Sequence, residues 1–147
     1  MTDLQTVSDI GELHLLDRLF QFCPTNVVGD DAAVVAVPTG QRLAVTTAVL
    51  VAGVHFNDVT TSPEDVGWRA IAANLSDLAA MGAMPTGITV GLSLPGSTSL
   101  EWIEGVYRGM ATCLKQWGGA IIGGDLCRSE TVSLAITALG SVKPEQV

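Results

Sequence analysis

Pro63-Glu64-Asp65-Val66-Gly67-Trp68-Arg69-Ala70-Ile71-Ala72-Ala73-Asn74-Leu75-Ser76-Asp77-Leu78-Ala79-Ala80-Met81-Gly82-Ala83-Met84-Pro85 is the stretch on which the fold turns. It reads as one helix with a start and a stop. Ser62 can cap the first turn, Pro63 suits the first helical position, and Asp65 stands at capping-box spacing. Gly82 and Pro85 close it. Trp68, Ile71, Ala72, Leu75, Leu78 and Ala79 share one face at helical spacing. The other side carries Ala70, Ala73, Asn74, Asp77, Ala80 and Met81, residues mostly small enough for another backbone to approach. A helix apolar nearly all round is expected to be buried. A buried carboxylate is costly unless paired or metal-bound, so Asp77 is expected to need a partner.

Composition narrows the class. The chain has 147 residues, enough for one domain with a core, and is 48% hydrophobic and 15% charged. Its net charge of −8 argues against nonspecific binding to nucleic acid or anionic membranes, and suits a protein that gathers cations. Cys23, Cys113 and Cys127 are odd in number and lack C-x-x-C spacing, so neither a disulfide framework nor a structural zinc site is indicated. A reducing cytoplasm is the expected location. No signal peptide is visible, and no apolar run approaches the roughly 20 residues of a membrane span.

Outward from the central helix, the pattern predicts a first helix over Asp9 to Phe22. Strands follow over Ala32 to Val37, Arg42 to about Leu50, and Thr86 to Leu94. A further helix opens with Thr98 and Glu101 at capping-box spacing and ends at Gly118-Gly119. Ala120-Ile121-Ile122 reads as a short buried strand, and Thr131 to Leu139 as the last one. The order predicts an α+β domain whose helices lie on one face of a mostly antiparallel or mixed sheet.

Three acidic positions sit where chemistry could use them. Asp30 and Asp31 follow Gly29, Asp77 lies on the central helix, and Asp125 follows Gly123-Gly124. Each alone also fits an ordinary turn or cap. Gathered from separate elements, such carboxylates suit Mg²⁺, which takes oxygen ligands and shares itself with phosphates. No phosphate-binding P-loop, dinucleotide fingerprint or nucleophile elbow is present. His14 reads as exposed, His55 as a loop residue, and Tyr107 as a member of an apolar helix stripe.

Read together, Gly29-Asp30-Asp31-Ala32-Ala33-Val34, Val45-Thr46-Thr47, Leu50-Val51-Ala52-Gly53-Val54-His55-Phe56, Asn74-Leu75-Ser76-Asp77-Leu78-Ala79-Ala80-Met81-Gly82-Ala83 and Ile122-Gly123-Gly124-Asp125 resemble the thiamine-monophosphate kinase family. That family shares an ATP-binding fold with aminoimidazole ribonucleotide synthetase, selenophosphate synthetase and a hydrogenase-maturation protein. The resemblance covers nearly the whole chain in order. It implies a Mg²⁺-assisted, in-line transfer of the ATP γ-phosphoryl group to thiamine phosphate, giving ADP and thiamine diphosphate, with no covalent nucleophile. Carried over by position, it puts Asp31, Thr46, Thr47, Asp77 and Asp125 at magnesium-binding positions and His55 at a substrate-contacting one. Tyr107, Gly124 and Asp125 fall at nucleotide-contacting positions. It further implies a homodimer whose paired sheets form a barrel, in agreement with the chain's mean hydropathy of +0.42.

Two departures stand out. The family's strand motif runs Thr-Asp, whereas Thr47 is followed by Ala48, which removes an expected metal-ligating carboxylate. The family also has a C-terminal domain contributing contacts, so residues 1–147 are expected to form its single N-terminal, ATP- and Mg²⁺-binding and dimerisation domain. The competing readings are another ATP-dependent synthetase of the same superfamily and a non-catalytic dimerisation or nucleotide-binding module.

Overall fold

The computed structural model describes residues 4–147. Its helices are α1 (Val7–Phe20), α2 (Pro63–Ala80) and α3 (Leu100–Trp117), and its strands β1 (Arg42–Val51), β2 (Met84–Leu94), β3 (Ile121–Arg128) and β4 (Ser133–Val142). A short 3-10 turn, Pro144–Gln146, follows β4. The four strands form one sheet in the order β1-β4-β2-β3, with β1/β4 and β4/β2 antiparallel and β2/β3 parallel. The expected α+β class with a mixed sheet is what the chain adopts.

The central helix begins as its sequence dictates. Ser62 Oγ accepts the Asp65 N–H at 3.1 Å and donates to Asp65 Oδ2 at 2.8 Å, with Pro63 in the first turn. The α3 cap is Ser99, whose oxygen accepts from Trp102 N–H, rather than Thr98 one residue earlier. Thr6 caps α1 with Asp9 in a capping box, so that helix starts ahead of the expected Asp9.

Strand periodicity divides the sheet into two unlike faces. Leu134, Ile136 and Ala138 of β4 and Ile88, Val90, Leu92 and Leu94 of β2 are buried on the helix side. They join Ile71, Leu78, Ile103, Val106 and Met110 of α2 and α3 in one core, where each large aliphatic side chain contributes about 1.5–3 kcal/mol. Helices α2 and α3 cross so closely that a Cβ on Gly67 would lie 1.8 Å from Val106 O, and one on Gly109 1.9 Å from Glu64 O. Only glycine permits that approach.

Three expectations need correction. The run Ala32–Val37 is not a strand, so the order lacks the first of the predicted β elements. The run keeps a strand's alternation, with Ala33 and Val35 half-buried and Val34 98% exposed, but no neighbouring strand supplies ladder hydrogen bonds. The strand expected to end at Ile122 continues to Arg128, so Gly123-Gly124-Asp125 lies within β3, paired with β2, rather than in a turn. Helix α2 is also rotated from the expected orientation. Asn74 is fully buried, while Asp77 is exposed and Trp68 is 40% exposed. The close crossing with α3 turns Gly67 and Ala70 inward and leaves Trp68, Ala72 and Ala79 lining an outer groove with Met84 and Trp117. The Asp77 carboxylate is therefore solvated, and the buried polar group is Asn74. Its Nδ2 donates to Ala70 O at 2.9 Å, while its Oδ1 has no partner among the described residues.

Candidate functional site

Strand β1 sorts the two adjacent threonines onto opposite faces. Thr46 points toward α2, and its hydroxyl donates to Asp77 Oδ2 at 2.9 Å. Asp77 thus has the partner its sequence position called for, although it stays exposed. Ala48, two residues further on, lies on this same face with no oxygen to add.

Thr47 points the other way, and its Oγ1 lies 2.9 Å from Thr137 Oγ1 on β4. Register aligns Thr47 with Thr137, Thr137 with Thr89, and Thr89 with Gly123, so hydroxyls run in a row across the open face. The next row runs Val49, Ala135, Gly91, Asp125. Small residues there leave a flat floor beside a carboxylate.

The segment from Val27 to Val35 passes over that floor and encloses a groove of about 770 Å³. Asp30, Asp31, Asp125, Thr89, Thr137, Gly123 and Gly124 line it with apolar neighbours, and no cationic side chain is among them. All three carboxylates are exposed. Uncompensated negative charge over a small-residue floor draws cations, and the available donors are all oxygen. That donor chemistry fits Mg²⁺ and excludes preference for a soft metal. Among the described residues, no three His, Cys, Asp or Glu side chains come close enough to hold a metal ion by themselves. The remaining ligands of a metal here would have to come from a phosphate or water.

Tyr107 lies behind the glycine pair. It is buried in the core, its ring 5.6 Å from that of Phe22. It also borders a cavity of about 40 Å³ with Gly123, Gly124, Asp125 and Cys23. Burial pushes its phenol well above the ordinary tyrosine range, with Cys23 adding to the effect. His55 sits elsewhere, in the turn after β1. Gly53, at φ +80°, lets that turn close, and Phe56 anchors it by stacking on Trp102.

The expected site residues therefore occupy three neighbourhoods. Asp31, Asp125 and Gly124 share the groove, with Thr47 joined to its wall through Thr137 and Tyr107 behind it. Thr46 and Asp77 pair on the helix side of β1. His55 stands at the β1–α2 connection and does not line the groove. Thr89 and Thr137, which line the groove, are not marked out by the sequence. Alternation along β4 sets Thr137 apart from Ile136 and Ala138, but only the strand order shows that it meets Thr47.

The family described as AIR synthase related protein, N-terminal domain, matches residues 29–142. Thiamine-monophosphate kinase of Synechococcus elongatus is 53% identical over 143 residues, covering 97% of this chain and 44% of that protein. The crystal structure of thiamine-monophosphate kinase from Stenotrophomonas maltophilia K279a superposes with a TM-score of 0.75 at 41% identity, covering 91% of this chain and 43% of that one. A structure described as AaThiL complexed with AMPPCP and TMP gives a TM-score of 0.69 at 30% identity, covering 97% of this chain and 45% of that one. The chain thus spans under half the length of the curated relatives it matches.

Proposed function

The chain belongs to the AIR synthase related protein, N-terminal domain family, and from that premise we propose that it is the ATP- and Mg²⁺-binding N-terminal domain of a thiamine-monophosphate kinase. The observation that carries this reading is the groove in which Asp31 and Asp125, from distant parts of the chain, face one floor with no cation of their own. Phosphoryl transfer asks for positioning and charge neutralisation more than for a covalent nucleophile. A phosphate oxygen of thiamine phosphate forms the new P–O bond to the γ-phosphorus, and the bond to the bridging oxygen breaks with its electrons leaving on ADP. Magnesium, when bound, would supply neutralisation of the phosphate charge.

This chain's own residues supply the setting. Asp31, Asp125 and Thr47 would hold metal from the open face, and Thr46 with Asp77 from the helix side. Gly124 and Asp125 would lie along the nucleotide, with Tyr107 as the wall behind them. His55 would contact thiamine phosphate. The half-exposed stripe of Leu43, Val45 and Val49 on β1 supports a homodimer built through the open face, with exposures of 47%, 58% and 48%. No described helix is long and apolar enough to cross a membrane; we place the protein in the cytoplasm.

Ala48 favours one second reading, a nucleotide-binding and dimerisation module without turnover. It stands on the Thr46–Asp77 face where the resembled family carries a carboxylate. The test joins this chain to the C-terminal half of the Synechococcus elongatus relative and measures thiamine diphosphate formation with alanine or aspartate at position 48. The kinase reading expects Ala48→Asp to raise turnover at least about tenfold, one metal-held carboxylate being worth about 1.4 kcal/mol or more. Calorimetry showing no Mg²⁺-dependent AMPPCP binding in either form would reject it.

A further inference from the structure

His55 is held at three points. Its ring Nδ1 accepts the Val51 N–H at 3.0 Å, and its main-chain N–H donates to Val51 O at 2.9 Å. Its carbonyl accepts from Arg69 Nη1 at 2.5 Å. The Val51 N–H belongs to the free edge of β1, so the imidazole satisfies a donor that the sheet leaves unpaired. A ring nitrogen that accepts carries no proton, which leaves the proton of the neutral ring on Nε2, at its far edge.

Arg69 is exposed on the second turn of α2. The ion pairs among the described residues are Arg18–Glu104 and Arg108–Glu64, so Arg69 is not engaged by a carboxylate. Its one described hydrogen bond goes to a main-chain carbonyl, a charge-assisted contact that is stronger than a neutral one. Gly53 and the buried Phe56 fix the loop on either side of His55.

We propose that Arg69 is a positioning residue: by clamping the His55 carbonyl it holds the imidazole against Val51, so that Nε2–H is presented as a fixed donor to an oxygen of a phosphate ester. The identity of that ester as thiamine phosphate rests on the function proposed above; the clamp does not. Preorganisation of this kind strengthens binding because the side chain is already ordered before the ligand arrives.

The test is nitrogen-15 spectroscopy of the His55 ring, together with hydrogen exchange at the Val51 amide, in the whole chain at a pH where free imidazole is neutral. The wild type should show an unprotonated, hydrogen-bonded Nδ1 and a protected Val51 amide. In Arg69→Ala, Val51 exchange should quicken about tenfold and the Nδ1 signal should move toward that of a free ring, with other amides unchanged. Arg69→Lys, which keeps a cationic donor, should restore most of both. A proton on Nδ1 in the wild type, or an unchanged ring and amide in a folded Arg69→Ala, overturns the inference. If Arg69→Ala fails to fold, Arg69→Gln takes its place in the same comparison. Thiamine phosphate added with Mg²⁺ and AMPPCP should shift Nε2 in the wild type. If it leaves Nε2 unmoved while the Arg69 variants behave as described, the donor role falls and the clamp stands. If calorimetry also finds no nucleotide binding, the kinase reading itself has failed.

Discussion

The two faces of the single sheet are built to opposite rules. On the helix side, alternate residues of β2 and β4 are large, aliphatic and buried: Ile88, Val90, Leu92, Leu134 and Ile136. On the open side the same strands offer Thr89, Gly91, Ala135 and Thr137, and these line a groove with three carboxylates. Strand β1 divides Thr46 from Thr47 along the same line. One face is filled to exclude water, whereas the other is kept flat and polar. The covered face should therefore carry stability, and the open face should carry ligand.

That division is most directly attacked on the covered face. Ile136→Ala removes a fully buried side chain from the centre of the sheet. It should lower the unfolding free energy by about 2–5 kcal/mol, read from denaturant midpoints at unchanged slope. A loss below about 1 kcal/mol would mean that the core is not where the burial pattern puts it.

Asp125→Asn makes the reciprocal test. The side chain is exposed and its removal opens no cavity, so stability should change by no more than about 0.5 kcal/mol. Mg²⁺-dependent nucleotide binding, followed by calorimetry, should weaken about 10- to 100-fold. A protein that binds as before would remove the groove from the reaction.

Much of this contrast can be read from the chain, and the parts that cannot share a cause. Local signals are reliable because neighbours in sequence decide them: Ser62 and Asp65 cap α2, and β-branched runs form β1 and β2. The orientation of α2 is a tertiary matter. A helical wheel groups Trp68 and Ala72 with Ile71, but the approach of α3 at Gly67 selects a stripe that includes Asn74 and leaves Asp77 in water. Strand pairing is tertiary too. Ala32–Val37 has a strand's alternation and no neighbour, while Gly123 and Gly124, which look like a turn, are held in β3 by β2. For the site, the carboxylates stand out from their glycine settings, but their sorting to different faces follows from register, which no single segment encodes.

Tyr107 marks where the two regions meet, since it belongs to the core yet borders the cavity behind Gly123-Gly124. Burial holds its phenol well above the ordinary tyrosine value of about 10. The sign follows from linkage. Between the unfolded and folded values the native state holds a proton that the unfolded state has lost, so stability is fully present below pH 10 and falls as pH rises past it. The slope can reach about 1.4 kcal/mol per pH unit. Urea midpoints measured from pH 9 to 11 should fall more steeply in the wild type than in Tyr107→Phe. Parallel curves would show that water reaches the phenol and that the wall behind the groove is open.

The smallest expected effect is the most informative about the open face. Thr47 and Thr137 sit directly opposite, with hydroxyls 2.9 Å apart. A hydrogen bond in contact with water returns little on net, because both groups find partners when it breaks. Thr47→Val and Thr137→Val should each change stability by about 0.5 kcal/mol or less, and valine's preference for strands offsets part of the loss. The double-mutant cycle should give a coupling of about 0.5 kcal/mol or less. A coupling above about 1.5 kcal/mol would place the pair in a dry environment. Since the chain's own atoms leave Thr47 exposed, such a value would mean that the proposed homodimer covers this row of hydroxyls as well as the outer stripe of Leu43, Val45 and Val49, and the contrast between covered and open faces would then hold only for the isolated chain.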